Sequence, residues 1–324
     1  MSAIDENLLI MVAKLYYIEG LSQQQIADRI SVSRPTVSNL LKRCKEDGIV
    51  EIRIRESTSL LAVLMSELKS TFGLDEVVVV PSQPDESKTT EATGWAAAGL
   101  LAASIRDGLT IGISWGSTTY SAINAFEAVT AFQGIRVVQL VGAFGAINQS
   151  YDGHELARIF AKKLNGSYST IQAPAIVRSV EARQHFLGEP GIASAIALAR
   201  QADLAILSVS PDDPDSSSLV RAGFITREES EVIRRNGGVG HSCGGIHFNI
   251  DGLAIPTLLD DRIVGITVDE LRKIPRVILA ACGAIKAYAI LGALRSGIFH
   301  ALAIDETAAL RVLSKAKNAQ AGSS

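Results

Sequence analysis

The sequence has few cysteines, few aromatic residues and no long apolar run, and each shortage excludes a class of protein. Its three cysteines among 324 residues are widely spaced, which excludes a disulfide framework and favours a reducing, cytoplasmic location. Aromatic residues make up 5% of the chain, too few for the stacking surfaces that bind single-stranded nucleic acid. The Ala-rich run 95–105 is too short to span a bilayer, so no membrane partner is expected.

Charge is nearly balanced overall but is unevenly distributed. The net charge of −3 does not favour a nucleic-acid partner. Between Arg29 and Arg55, however, there are seven basic residues and three acidic ones, a basic surplus of four. The apolar fraction of 47% and the length of 324 residues are typical of a compact α/β protein with about two domains.

Residues 22–43 have the pattern of a helix-turn-helix. Ser33 is placed to cap the second helix, and Pro35 falls in its first turn, where a missing N–H costs nothing. Ala27 is small where the two helices would come closest. The apolar positions that would pack the helices together are Ile26, Ile30, Val32, Val37 and Leu40. An ordinary helical hairpin with a solvated polar face is the alternative interpretation.

The second helix of this motif would present polar and basic side chains to the major groove of DNA. After Gly48, the alternation in 49–55 predicts a short strand and a basic wing against the DNA backbone. Lys42, Arg43 and Arg53 would mainly neutralise phosphates. The candidate contacts with double-stranded DNA are Gln23, Arg34, Pro35, Thr36, Ser38, Asn39, Lys42, Arg43 and Arg53.

Beyond residue 75, apolar strands alternate with helices. The predicted strands include 77–80, 110–114, 135–141, 204–209 and 277–281. The last two are continuous apolar runs, which are typical of central parallel strands. The whole pattern predicts an α/β protein: an N-terminal all-α winged helix-turn-helix followed by a doubly wound, Rossmann-like domain.

The predicted boundaries give a DNA-binding domain over 1–56, a linker helix over 57–74 and a second domain over 75–324. The linker carries an apolar stripe at helical spacing. Its members are Leu61, Leu64, Leu68 and Phe72. We favour pairing of two subunits through this helix, because two DNA-binding heads need a dimer to read adjacent half-sites. Packing of the helix on its own domain is the alternative.

The loop at 112–119 is the best candidate for a ligand site. Its glycines let a ligand approach the backbone, its hydroxyls donate, and the helix that follows favours an anion, so the combination suits a phosphate. The spacing Gly112-x-Ser114-x-Gly116 also matches the nucleophile elbow of serine hydrolases, for which Asp260 and His300 could be nominated as partners. A purely structural glycine turn is a further alternative.

Two more glycine-rich loops could contribute to a site. In 237–247, His241, Cys243 and His247 could surround zinc, although the spacing matches no familiar closed site; a flexible loop that meets a polar ligand is the favoured interpretation. In 282–286, Lys286 could supply a point charge to a phosphate, or it could be an ordinary surface lysine.

Taken together, these segments resemble the SorC/DeoR-type family of bacterial sugar-responsive transcription regulators. The resemblance is carried by the helix-turn-helix with its wing at 48–52, by 112–118, 138–142 and 239–244, and by the run 283–297. It implies an effector domain similar to sugar-phosphate isomerases, a phosphorylated sugar or polyol as effector, no cofactor, and a homotetramer built as a dimer of dimers. The effector-binding residues that it implies are Gly112, Ser114, Trp115, Gly116, Ser117, Thr118, Gly142, His241, Cys243, Gly244 and Lys286.

The sequence departs from this family in two places. His241 stands where an aspartate is usual, and 142–146 contains no lysine, so a Schiff base with an aldehyde sugar is not expected there. Phe144 in that segment would narrow the pocket. The alternative function is a sugar-phosphate isomerase or deaminase fused to a DNA-binding head, with His241 and Asp251 as the acid/base pair.

Overall fold

A computed structural model describes residues 3–50, 58–128, 130–144 and 151–321. The chain divides into two compact units, Met1–Glu56 and Ser57–Ser324. In the described part of the chain, no helix has the length and apolar character that a membrane crossing requires. Residues 51–55 of the predicted strand and wing, Arg53 among them, lie outside the described residues.

The described part of the first unit contains three helices around a small apolar core. They are α1 (Ala3–Tyr17), α2 (Gln23–Arg29) and α3 (Arg34–Glu46). Ile26 and Val37 are fully buried where the helices meet, and Ala27 is 1% exposed, as the close approach of two helices requires. Leu41 is buried in this core while Leu40, the residue that the sequence favoured, is only half-buried.

Side-chain caps begin both helices of the motif. Ser22 and Gln25 form a capping box at α2, with Gln25 N–H donating to Ser22 Oγ at 3.3 Å and Ser22 N–H to Gln25 Oε1 at 2.9 Å. At α3, Thr36 N–H donates to Ser33 Oγ at 3.3 Å. Ser31, with a φ of 53°, makes the tight turn between the two helices in the left-handed region. The predicted helix-turn-helix is therefore present.

A seven-stranded parallel sheet forms the centre of the second unit. Its strands are β1 (Glu76–Val80), β2 (Thr110–Ile113), β3 (Arg136–Gln139), β4 (Ser167–Ser169), β5 (Leu204–Leu207), β9 (Arg276–Ala281) and β10 (Ala301–Asp305). Their order across the sheet is β1-β10-β9-β5-β2-β3-β4, and every neighbouring pair is parallel. The expected α/β architecture with a parallel sheet is confirmed.

A second, three-stranded antiparallel sheet follows β5 directly. Its strands are β6 (Val209–Pro211), β7 (Gly238–Ser242) and β8 (Ile246–Asn249), in the order β6-β7-β8. The run 204–209, expected as one strand, is thus divided at Ser208, because Val209 leaves the parallel sheet and pairs with Ser242. The strand expected at 77–80 is only partly buried, since β1 lies at the edge of the sheet.

Eleven α-helices are described in the second unit. They are α4 (Thr58–Phe72), α5 (Glu86–Ser104), α6 (Ser117–Ala125), α7 (Gly153–Lys163), α8 (Val180–Gly188), α9 (Pro190–Ala199), α10 (Ser218–Arg221), α11 (Arg227–Arg235), α12 (Val268–Leu271), α13 (Ala287–Arg295) and α14 (Glu306–Ala321). Alternate residues of one strand belong to different apolar cores: in β9, Leu279 packs in one core and Ile278 in the other. Both faces of the sheet are therefore covered.

The linker helix α4 packs on its own unit. Leu64 and Leu68 are 2% and 0% exposed in the core that also contains residues of β10 and α14, and Leu61 and Phe72 pack against that core. The apolar stripe therefore packs on its own domain, which was the alternative interpretation, instead of pairing two subunits. The stripe is buried within the subunit, and the large apolar residues that the described part of α4 leaves exposed are Leu60 (40%) and Val63 (56%).

Candidate functional site

The surface of α3 carries most of the side chains predicted to contact DNA. Arg34, Pro35, Thr36, Ser38, Asn39 and Lys42 are exposed, and Gln23 and Arg43 are half-exposed. Because Val37, Leu41 and Cys44 occupy the buried face of α3, the predicted contact residues of this helix lie on its opposite, solvent-facing side, and Gln23 begins α2. An amphipathic helix with this distribution can enter a major groove.

Two of the basic residues on α3 have acidic partners one turn away. Lys42 Nζ lies 3.5 Å from Glu46 Oε1, and Arg43 Nη2 lies 3.8 Å from Asp47 Oδ2. Both pairs are exposed, so each contributes little to stability and yields readily to a competing phosphate. The two cations remain available to DNA.

A cavity of about 320 Å³ opens at the carboxyl ends of the central strands in the second unit. Trp115 and Gly116 reach it from the loop after β2, Ser208 follows β5, and Lys286 lies in a short 3₁₀ turn (Ala284–Lys286) after β9. Strands β2 and β5 are neighbours although β3 and β4 come between them in sequence, so the direction of strand addition reverses here. Loops at such a reversal diverge and leave room for a ligand.

One wall of the cavity is aromatic. Trp115 stacks on Phe144 with 4.1 Å between ring centroids, and Phe144 meets Phe224 edge-on at 4.8 Å. The tight turn at Cys243 and Gly244, where φ is 46° and 76°, closes over Phe144. A Cβ on Gly244 would lie 2.7 Å from Phe144 Cζ, so only glycine fits this position.

The start of α6 faces the same cavity without a side-chain cap. Gly116 is the N-cap residue, has a φ of 138°, and would bring a Cβ within 2.4 Å of Ser208 Oγ. Since no side chain caps this nine-residue helix, its first N–H groups are left for another partner. Ser117 at this terminus is exposed to the cavity.

Two cations line the cavity. Lys286 is half-buried, and Arg221, at the end of α10, is exposed. Burial lowers the pKa of the Lys286 amine, and the positive charge of Arg221 acts in the same direction. An anion bound in the cavity would offset the unfavourable effect of burial on the Lys286 charge, because it would attract both cations.

A buried cluster of Asp212, His241 and His247 lies behind the cavity wall. Asp212 Oδ1 is 2.9 Å from His241 Nδ1 and 2.9 Å from His247 Nδ1. On the cavity side, His241 Nε2 is 3.2 Å from Ser218 Oγ. Antiparallel pairing of β7 with β8 places the two histidines opposite each other, and β6 leads into Asp212.

The cavity collects seven of the eleven predicted effector residues. Those seven are Trp115, Gly116, Ser117, His241, Cys243, Gly244 and Lys286. The other four lie nearby but do not line it. Gly112 packs against Leu140 within the sheet, and Gly142 packs against the backbone of Ala173. Ser114 and Thr118 are buried, 2% and 1% exposed, at the two ends of the loop.

The alternative catalytic and metal sites are not assembled in the described part of the chain. Ser114 hydrogen-bonds neither Asp260, which accepts from Thr257, nor His300, whose Nδ1 accepts from Val277 N–H. Asp251 pairs with Arg295 at 3.8 Å instead of approaching His241.

The zinc hypothesis joined Cys243 to the two histidines, but Asp212 takes the place of Cys243 in the cluster. A set of one carboxylate and two imidazoles could hold a metal ion. Here each Nδ1 lies at hydrogen-bonding distance from Asp212 Oδ1, whereas Asp212 Oδ2 and His247 Nε2 are buried without a hydrogen-bond partner. Burial raises the pKa of the Cys243 thiol to about 12, so this cysteine is a protonated packing residue beside Ser114.

Sequence reasoning missed several residues of the cavity. They are Phe144, Tyr151, Asp152, Ser208, Val209, Ser210, Ser218, Arg221, Ala222 and Ser242. The sequence had singled out Phe144 only as a residue that would narrow the pocket. Ser242 lies in the glycine-rich loop 237–247 but was not selected there, and the rest stand in no glycine-rich loop. The one available signal was the cluster of hydroxyls and acids at 208–218, directly after a buried strand.

Two family models match the chain. The Sugar-bind model, described as "Putative sugar-binding domain", matches residues 58–314. The Crp-like helix-turn-helix domain matches residues 10–64. The first match contains the cavity, and the second contains the whole described helix-turn-helix motif.

Curated relatives match almost the whole length. The chain is 31% identical over 302 residues to the Deoxyribonucleoside regulator of Bacillus subtilis (strain 168), covering 93% of this chain and 95% of that protein. It is 29% identical over 314 residues to the Transcriptional regulator LsrR of Enterobacter sp. (strain 638), covering 96% and 94%. Both relatives are named as regulators, and the second is named as a transcriptional regulator.

The fold also matches a solved structure over nearly its full length. The crystal structure of the full-length Sorbitol Operon Regulator SorC from Klebsiella pneumoniae superposes with a TM-score of 0.74 at 26% identity, covering 96% of this chain and all of that chain. The match includes both the helix-turn-helix region and the mixed α/β unit.

Proposed function

Since the chain belongs to the SorC- and DeoR-type family of sugar-binding transcriptional regulators, we propose that it controls a carbohydrate operon in response to a phosphorylated sugar or polyol. The observation that carries this proposal is the cavity where the strand order reverses between β2 and β5. Lys286 and Arg221 line this cavity together with the uncapped start of α6. Two cations and free N–H groups are what a phosphate binds.

The phosphate would lie at the start of α6. The first turn of α6, from Ser117, offers backbone N–H groups, the Ser117 hydroxyl donates, and Lys286 adds a point charge, whereas the Gly116 N–H already donates to Tyr151 O at 3.2 Å. Arg221, which the sequence did not indicate, supplies a second charge with several donors. Ser114 and Thr118 are buried beside this turn, and Gly112 and Gly142 allow Leu140 and the backbone of Ala173 to approach closely.

The body of the sugar would occupy the rest of the cavity. The stacked Trp115 and Phe144 offer an apolar face to the C–H groups of a carbohydrate, while Ser208, Ser210 and His241 line the polar side. We propose that the second unit is a doubly wound sheet of the Rossmann type, because the strand order reverses at the cavity and both faces are covered.

DNA binding is proposed for residues 1–56, with α3 as the recognition helix. Arg34, Thr36, Ser38 and Asn39 are positioned for base edges or nearby phosphates, and Lys42 and Arg43 for phosphates. The effector must bind the DNA-competent and DNA-incompetent states unequally, since otherwise it could not change operator affinity.

Assembly as a homotetramer, a dimer of dimers, is part of the same proposal. Residues 57–74 join the domains, and the effector domain comprises 75–324. Because the apolar stripe of α4 is buried in the core of its own subunit, pairing of two subunits through this helix would use the exposed face with Leu60 and Val63.

A paired ligand screen tests the proposed effector. Phosphorylated pentoses, hexoses and polyols are compared with their unphosphorylated parents by thermal shift, and the ligands that bind are added to an operator-binding assay. We expect stabilisation by at least one phosphorylated compound, little by its parent, and a change in DNA affinity. Equal stabilisation by parent and phosphate ester would refute the phosphate assignment.

A further inference from the structure

The protons of the buried cluster behind the cavity have determined positions. The carboxylate of Asp212 only accepts hydrogen bonds. Burial pushes the pKa of Asp212 up, but the charges and hydrogen bonds of His247 and His241 outweigh this and lower it to about 2. Asp212 is therefore ionised at neutral pH, and the Nδ1 atoms that lie 2.9 Å from its Oδ1 must both carry hydrogen.

The hydrogen on His241 Nδ1 decides whether the other ring nitrogen, Nε2, donates or accepts a hydrogen bond. Burial lowers the pKa of His241, so the ring is neutral at pH 7. A neutral ring with hydrogen on Nδ1 has a bare lone pair on Nε2, which can only accept. Ser218 Oγ lies 3.2 Å from that Nε2. The hydroxyl of Ser218 must therefore donate its single hydrogen to His241.

Ser218 also lines the cavity, and this gives its hydroxyl a restricted role there. With its hydrogen engaged, Ser218 Oγ presents only lone pairs to a ligand. The neighbouring cations Arg221 and Lys286 are donors without acceptor capacity. The cavity thus combines donors for an anionic group with an acceptor at Ser218.

We propose that Ser218 is a specificity-determining residue that selects an effector hydroxyl able to donate a hydrogen bond, with Asp212 and His241 acting as positioning residues. The proposal rests on the proposed function and deepens it, because it concerns the sugar portion of the same effector. A carbonyl or ether oxygen at that place would set two acceptors against each other, which is a repulsive arrangement. His241 is the residue that imposes this choice, because its Nε2 takes the Ser218 hydrogen.

The proton positions can be measured without any ligand. The chain has five histidines, so selective ¹⁵N-histidine labelling gives a simple spectrum in which two-bond ¹⁵N–¹H correlations separate the two neutral tautomers. We expect His241 in the Nδ1–H form. His300 is an internal control for the opposite tautomer. Its Nδ1 accepts a hydrogen bond from Val277 N–H at 3.1 Å, so its own hydrogen must lie on Nε2 when the ring is neutral. The variants His241→Gln and His300→Gln assign the signals. An Nε2–H or doubly protonated His241 at pH 7 would overturn the proposal.

Ligand analogues test the selection itself. For the phosphorylated compound found by the screen, each hydroxyl is replaced in turn by hydrogen and by fluorine, which cannot donate. We expect one position where both replacements weaken binding at least tenfold in the wild type. The loss at that position should disappear in Ser218→Ala. Recovery of affinity by fluorine at the position coupled to Ser218 would show that Ser218 donates, and would overturn the proposal.

An Asp212→Asn variant reverses the expected preference. An amide can donate to His241 Nδ1, which would move the ring hydrogen to Nε2 and free the Ser218 hydrogen for the ligand. The fluorine analogue should then bind better, relative to the hydroxyl compound, than it does in the wild type. An unchanged ratio in a folded variant whose ring hydrogen has moved to Nε2 would contradict the mechanism. Failure of all phosphorylated compounds to bind, with His241 in the expected tautomer, would refute the proposed function instead.

Discussion

Replacement of Lys286 by methionine separates charge from packing in the cavity. Methionine keeps an unbranched apolar side chain of similar length and removes only the ammonium group. A hydrogen bond to a charged group contributes about 1.5–3 kcal/mol, which corresponds to a roughly 10- to 150-fold loss of affinity for the phosphorylated effector. Since Arg221 remains in the cavity, binding should be weakened within this range and not abolished.

The expected thermal shift follows from these numbers. A ligand present at a hundred times its dissociation constant stabilises the protein by about 2.7 kcal/mol. A 30-fold weaker variant at the same ligand concentration would retain about 0.9 kcal/mol, roughly a third of the effect. Lys273→Met, at an exposed lysine outside the cavity, is the matched control and should keep the full shift.

The protonation of Lys286 adds a second readout. Burial lowers the pKa of this amine, and a bound anion raises it, so binding takes up protons and affinity should fall as pH rises. Calorimetry in two buffers of different ionisation enthalpy should detect this uptake in the wild type and less of it in Lys286→Met. An undiminished thermal shift together with unchanged proton uptake in Lys286→Met would remove Lys286 from effector recognition and refute the reasoning.

Three further predictions concern the helix-turn-helix and the buried cluster. Arg43→Ala should weaken binding to all DNA sequences alike and reduce the slope of log K against log salt by about 0.9, since one phosphate contact is lost; a slope equal to that of the wild type would place Arg43 outside the interface. Ser33→Ala should destabilise the first unit by about 1 kcal/mol in urea unfolding, because Thr36 N–H loses its cap, whereas Ser38→Ala, at an exposed position within α3, should change little; equal effects would contradict a role for the cap. Because burial lowers the pKa of His241 below 6.5, the unfolded chain takes up a proton that the folded chain resists, so stability should be full above about pH 6.5 and decline below it by up to about 1.4 kcal/mol per pH unit. His241→Gln should flatten this decline, and an equally steep decline in the variant would assign the acid sensitivity to another group.

Local pattern was enough to predict the two helices of the DNA-binding motif and most strands of the sheet. The cap of α3 at Ser33 and the burial of Val37 could be predicted, because capping and helical periodicity depend only on residues a few positions apart. The apolar runs at β5 and β9 mark central strands for the same reason, since a strand covered on both faces must be apolar throughout. The glycine loop at 112–119 contributes Trp115, Gly116 and Ser117 to the lining of the cavity, and its role in binding stays a prediction.

The partners of His241 depended on the tertiary structure. Asp212 and Ser218 lie 29 and 23 residues away, and no spacing rule connects them; β6, β7 and α10 bring them together only because β6 leaves the parallel sheet and pairs with β7. For the same reason Arg221 could not be distinguished in the sequence from any other surface arginine. Hydrogen bonds act over about 3 Å in space, whereas a sequence records only order along the chain, so the chemistry of the cavity was decided by the topology of the sheet.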